Sequence, residues 1–132
     1  MKTGCILVVD DTPMNLRLTE VVLKCEGHTV VCAKDAQAAL AVLGHTRPDL
    51  ILMDLQMPGM DGLTLTRRLK ADPAYQHLPI VAFTSYAMKG DEEKALAAGC
   101  DGYITKPIDT RALPGQVSAY LERHAALKPE GA

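Results

Sequence analysis

Five times along the chain a short apolar run gives way to a stretch whose apolar residues recur every three or four positions. The runs are Cys5–Val9, Thr29–Cys32, Leu50–Met53, Ile80–Phe83 and Gly102–Thr105. Branched and long apolar residues without polar alternation read as strands covered on both faces. Between them the helical period predicts five helices. The first starts at Pro13, whose missing N–H costs nothing in a first turn. It carries Met14, Leu18, Val21, Val22 and Cys25 inward and stops at Gly27. The second, capped by Asp35, buries Ala36, Ala39, Leu40 and Leu43 and closes at Gly44. The third follows Gly62, with Leu65 and Leu69 inward and Arg67, Arg68 and Lys70 in solvent. The fourth runs from Asp91 to Ala98 and ends at Gly99. The fifth, capped by Asp109, has the stripe Leu113, Val117, Tyr120 and Leu121. Pro114-Gly115 in a helix interior would cost roughly 3–4 kcal/mol, so this helix is expected to start late or to kink.

Regular βα alternation predicts an α/β fold: a doubly wound, five-stranded parallel sheet with helices on both faces and right-handed crossovers. The second and fifth strands are the least purely apolar, which suits the edges of strand order 2-1-3-4-5, the flavodoxin-like (βα)5 arrangement. At 132 residues, 48% of them hydrophobic, the chain fits one domain with a sizeable core. We place that domain at 1–125 and a frayed tail at 126–132. A formal charge of −2 with scattered Lys and Arg excludes a nucleic-acid surface, which needs a basic stripe. No apolar run approaches the ~20 residues of a membrane span, and the first strand begins too early to leave room for a signal peptide. Cys5, Cys25, Cys32 and Cys100 have neither zinc-ligand nor C-x-x-C spacing and read as reduced packing residues of a cytoplasmic protein.

The chemistry gathers where strands end. Asp10-Asp11 follow the first strand, Asp54 the third, Thr84-Ser85 the fourth and Lys106 the fifth. In order 2-1-3-4-5 the acidic pair and Asp54 flank the crevice at the switch point, where open α/β sheets bind ligands. Three ionised carboxylates there repel, by roughly 4 kcal/mol for a pair 4 Å apart at an effective dielectric of 20. They call for a cation, and oxygen donors point to Mg²⁺. With Asp10 and Asp11 on the metal, Asp54 is free to act as a nucleophile toward a phosphoryl group. The Lys106 ammonium and the Thr84 hydroxyl are then placed to take two of the phosphoryl oxygens. Taken singly, each of these residues is more often a turn, a cap or a solvated charge. Four strand ends agreeing in type and order are not explained that way.

Val8-Val9-Asp10-Asp11, the stretch Leu50 to Gly62 (LILMDLQMPGMDG), Thr84 and Lys106-Pro107 together resemble the CheY-like receiver domain of two-component response regulators, over nearly the whole chain. The resemblance implies that Asp54 accepts phosphate and that Asp10, Asp11, Asp54 and the main-chain carbonyl of Gln56 hold Mg²⁺. It implies that Thr84 and Tyr103 form a switch pair and that Lys106-Pro107 is joined by a cis peptide bond. It implies a histidine kinase or histidine phosphotransfer protein as donor, a protein target as output, no separate enzymatic substrate and a monomer. Ala87 to Glu92 is similar to stand-alone regulators of the DivK type and to the receivers of hybrid sensor kinases. Ser85 and Tyr86 border the phosphate site, and Ser85 stands where the family usually has Ala.

His28, His45, His77 and His124 read as solvated, and Met53, Met57, Met60 and Met88 as packing and loop residues. Two other functions share part of the pattern. A phosphate sink uses the same residues but binds no target. A haloacid-dehalogenase-type phosphatase would use Asp10 as nucleophile, but its general acid two residues on is here Thr12.

Overall fold

The computed structural model describes residues 3–55, 62–84, 91–105 and 108–127, with the side chains of 91 and 124–127 excepted. Strands β1 (Cys5–Val9), β2 (Thr29–Ala33), β3 (Leu50–Met53), β4 (Ile80–Thr84) and β5 (Gly102–Thr105) alternate with helices. The helices are α1 (Pro13–Cys25), α2 (Ala36–Leu43), α3 (Gly62–Lys70), α4 (Asp91–Ala98) and α5 (Leu113–Leu127). The strands form one parallel sheet in the order β2-β1-β3-β4-β5, as expected. The central strands β3 and β4 are buried at every position, which is why they carry no polar alternation.

Two cores sandwich the sheet. Leu7, Val9, Ile51, Met53, Ile80 and Ala82 pack with α2, α3 and Ala95 of α4. Ile6, Val8, Leu52, Val81 and Phe83 pack with Leu23 of α1 and Leu113, Val117 and Leu121 of α5. Burying one such side chain contributes roughly 1.5–3 kcal/mol, and the strands supply most of them. Asp35 caps α2 through Ala38 N–H, 2.7 Å from Oδ1. Helix α5 starts late: the N–H groups of Arg111 and Ala112 donate to Asp109 Oδ1 in a preceding turn, and Pro114 is the helix's second residue.

The expected inner stripe of α1 is wrong. Thr19 and Leu23 are buried, with Leu16 and Val22 half-buried, while Met14, Leu18 and Val21 are exposed at 80%, 39% and 45%. Cys25 is exposed too, and so is no packing residue. A threonine at the centre of the buried stripe hides it from any count of apolar residues. His28 is buried, not solvated, because its Nδ1 accepts the Gly4 N–H at 3.2 Å beneath the start of β1. His45 and His77 are exposed as expected, and the His124 side chain lies outside the described residues. Lys70 also departs from expectation. Its ammonium folds back onto Leu78 O (2.8 Å) and Asp101 Oδ2 (2.9 Å), with its stem under Gly99. Asp101 Oδ2 also accepts the Ile80 N–H, so one cluster ties the end of α3 to the entries of β4 and β5.

Candidate functional site

Strands β1 and β3 are neighbours in register, Val9 opposite Met53, so Asp10 and Asp54 leave the sheet side by side. Both backbones stay pinned past the last ladder pair: Asp10 N–H donates to Ala33 O and Asp54 N–H to Val9 O. Asp10 is 1% exposed and its Oδ1 accepts the Thr12 N–H at 2.9 Å, which holds the turn into α1. Asp54 is 6% exposed, whereas Asp11 lies open to solvent. One carboxylate oxygen from each of Asp10, Asp11 and Asp54 lies within 4.8 Å of the other two. Two of these groups are buried, so the cluster carries charge that protein dipoles and a cation must balance.

Thr84 ends β4 opposite Thr105 and is 1% exposed. Tyr103, half-buried, stands on β5 opposite Ala82. Residues two apart share a face of the sheet, so Thr84 and Tyr103 lie on the same face of adjacent strands. Tyr103 packs with the core on the α3 and α4 side, and its N–H donates to the Tyr120 hydroxyl at 3.4 Å. Gln56, Ser85, Tyr86, Lys106 and Pro107 lie outside the described residues, and with them the expected third metal ligand, the lysine and the cis peptide bond.

One contributor carried no role in the sequence reading. The N–H of Gly62 donates to Leu55 O at 3.2 Å, and a Cβ at Gly62 would overlap the Asp54 carbonyl oxygen and lie 2.8 Å from Leu55 Cα. Only glycine lets α3 begin this close to the Asp54 main chain. A glycine directly before a helical stripe was the available signal.

The family model described as response regulator receiver domain matches residues 6–118. The chain belongs to the response regulator receiver domain family. It is similar to the polar-differentiation response regulator DivK of Brucella anthropi, 37% identical over 88% of this chain and 94% of that protein. The same-named regulator of Brucella ovis is 36% identical over 90% of this chain and 97% of that one. Among solved structures, the receiver domain of a Syntrophus aciditrophicus signal transduction histidine kinase superposes with a TM-score of 0.84 at 32% identity, covering 98% of this chain and 96% of that one. The Mn²⁺-bound response regulator Rcp1 does so with 0.79 at 29% identity, covering 90% and 95%. Receiver domains are signalling domains that bind Mg²⁺ at an acidic cluster, and Asp10, Asp11 and Asp54 form such a cluster here. No helix among the described residues is long and apolar enough to cross a membrane.

Proposed function

We propose that this receiver accepts a phosphoryl group on Asp54 from a histidine kinase or histidine phosphotransfer protein and signals through phosphorylation-dependent binding to another protein. The observation that carries this reading is the meeting of Asp10, Asp11 and Asp54 at the ends of two adjacent strands, one carboxylate exposed and two buried. Three carboxylates, with no nitrogen or sulfur donor in the cluster among the described residues, suit a hard cation, and Asp10, Asp11 and Asp54 would hold Mg²⁺ together with the Gln56 carbonyl. Bound there, Mg²⁺ supplies positive charge to the carboxylates and to a phosphoryl oxygen. The Asp54 carboxylate oxygen attacks phosphorus as the phosphorus–nitrogen bond to the donor histidine breaks, leaving an aspartyl phosphate and a histidine. Lys106 would pair with one phosphoryl oxygen and Thr84 donate to another.

The placement of Thr84 and Tyr103 on one face of adjacent strands supports a switch. A new charge-assisted bond from Thr84 draws the end of β4 toward Asp54 and makes room for the Tyr103 ring to turn inward. Such bonds contribute a few kcal/mol, less than the roughly 5.5 needed to move a population from 1:99 to 99:1, so the switch is biased and incomplete. Incubation with a small phosphodonor and Mg²⁺ should add one labile phosphate by intact mass, and Asp54→Asn should remain unmodified. Equal labelling of that variant would refute the assignment. Capture of a protein other than the donor by the phosphorylated form alone separates signalling from a phosphate sink.

A further inference from the structure

We propose that Thr66 is a positioning residue for the phosphoacceptor turn, fixing the Asp54–Leu55 backbone through Gly62. This inference rests on the reading of Asp54 as acceptor, but the contacts that carry it belong to α3.

Thr66 is fully buried on α3, between the apolar Leu65 and Leu69. Its Oγ1 donates to Gly62 O at 2.7 Å, one turn back. Such a back-bond mid-helix tends to bend or slightly destabilise the helix, so helix formation alone gives no reason for it. What Gly62 touches supplies one. Its N–H is bonded to Leu55 O, and its α-carbon leaves no room for a Cβ against the Asp54 carbonyl. Gly62 is therefore held on both sides of its α-carbon, its N–H by Leu55 O and its carbonyl by the Thr66 hydroxyl. A glycine in a first helical turn is otherwise the residue with the most backbone freedom. The Thr66 bond removes that freedom at the point where α3 meets the residue bearing the carboxylate.

Cys100 adds a second bond to the Thr66 hydroxyl. Its Sγ lies 3.9 Å from Thr66 Oγ1, and both groups are buried. A carbonyl only accepts, so the hydroxyl proton goes to Gly62 O and the thiol donates to the hydroxyl oxygen. Burial pushes the Cys100 thiol up from its usual range, which keeps it a donor at neutral pH. The chain thus runs Cys100, Thr66, Gly62, Leu55.

Thr66→Val keeps the branched shape and removes the hydroxyl, and Thr66→Ser restores it. In the 132-residue chain, Mg²⁺ titration followed by NMR should show roughly fivefold weaker binding for Thr66→Val, the cost of one buried hydrogen bond. Amide exchange at Gly62 should quicken, and labelling of Asp54 at saturating Mg²⁺ should slow. Thr66→Ser should recover all three. A merely packing role lowers the melting temperature and leaves these readouts at wild-type values, and that result overturns the proposal. Wild type that binds Mg²⁺ but is never labelled on Asp54 refutes the acceptor reading instead, while Gly62 exchange still reports on Thr66. Should Thr66→Val not fold, Thr66→Ala measured against Thr66→Ser carries the same comparison.

Discussion

Neutralising Asp11 should make the metal-free protein more stable while depriving it of its response to Mg²⁺. Two unit charges 4.8 Å apart, the outer limit of the cluster, repel by about 3.5 kcal/mol at an effective dielectric of ~20 and by about 0.9 in bulk water. Asp11 is exposed, so its repulsion with Asp10 and Asp54 lies toward the lower value, and summing both pairs gives about 2 kcal/mol. Its carboxylate also sits near the N-terminus of α1, a favourable placement worth up to ~1 kcal/mol that Asn forfeits. Asp11→Asn should therefore gain about 1 kcal/mol in chelator at low ionic strength, a rise of roughly 4 °C for a domain this size. Wild type should gain about 2.7 kcal/mol when Mg²⁺ reaches 100 times its dissociation constant. Asp11→Asn should gain little, so the order of the two melting temperatures reverses between chelator and metal. Calorimetry in both buffers measures this. A variant less stable than wild type in chelator, or one with the full Mg²⁺ shift, would refute the electrostatic account.

Lys70→Met should cost about 1–2 kcal/mol in urea unfolding. It loses a charged donor to the Leu78 carbonyl and an ion pair whose Asp101 side is too exposed to contribute much; an unchanged midpoint would show the cluster to be incidental. Thr84→Ala should still be phosphorylated, yet its Tyr103 ring should respond weakly in NMR to a phosphate mimic, and a response equal to wild type contradicts the coupling. Alkylation of the native protein at neutral pH should reach Cys25 first, since burial raises the Cys5, Cys32 and Cys100 thiols and lowers their thiolate fraction. Equal rates at all four would contradict the described burial.

The sheet order was legible because the purity of the apolar runs tracks burial: Leu50–Met53 and Ile80–Phe83 sit in the middle, Thr29 and Gly102 begin the edges. Asp10 and Asp54 were legible as a pair because parallel strands present all their C-terminal ends on one side. The inward face of α1 was not, since a buried Thr19 breaks the apolar period that the outward Met14, Leu18 and Val21 continue. Lys70 and His28 failed for another reason. A charged or titratable side chain reads as solvated until the carbonyls, carboxylate and N–H that receive it are placed, and those come from residues 8 to 31 positions away. Gly62 and Thr66 belong to the same class. Their roles lie in a close approach of backbones that no period encodes.

The most direct test of the central claim is to locate the covalent phosphate. After labelling with Mg²⁺ and a small phosphodonor, borohydride reduction converts an aspartyl phosphate to homoserine, and peptide mass spectrometry reads its position. Homoserine is expected at 54, with Asp10 and Asp11 unmodified. Homoserine at 10, the nucleophile of the phosphatase alternative, or no reducible aspartate at all, would contradict the claim.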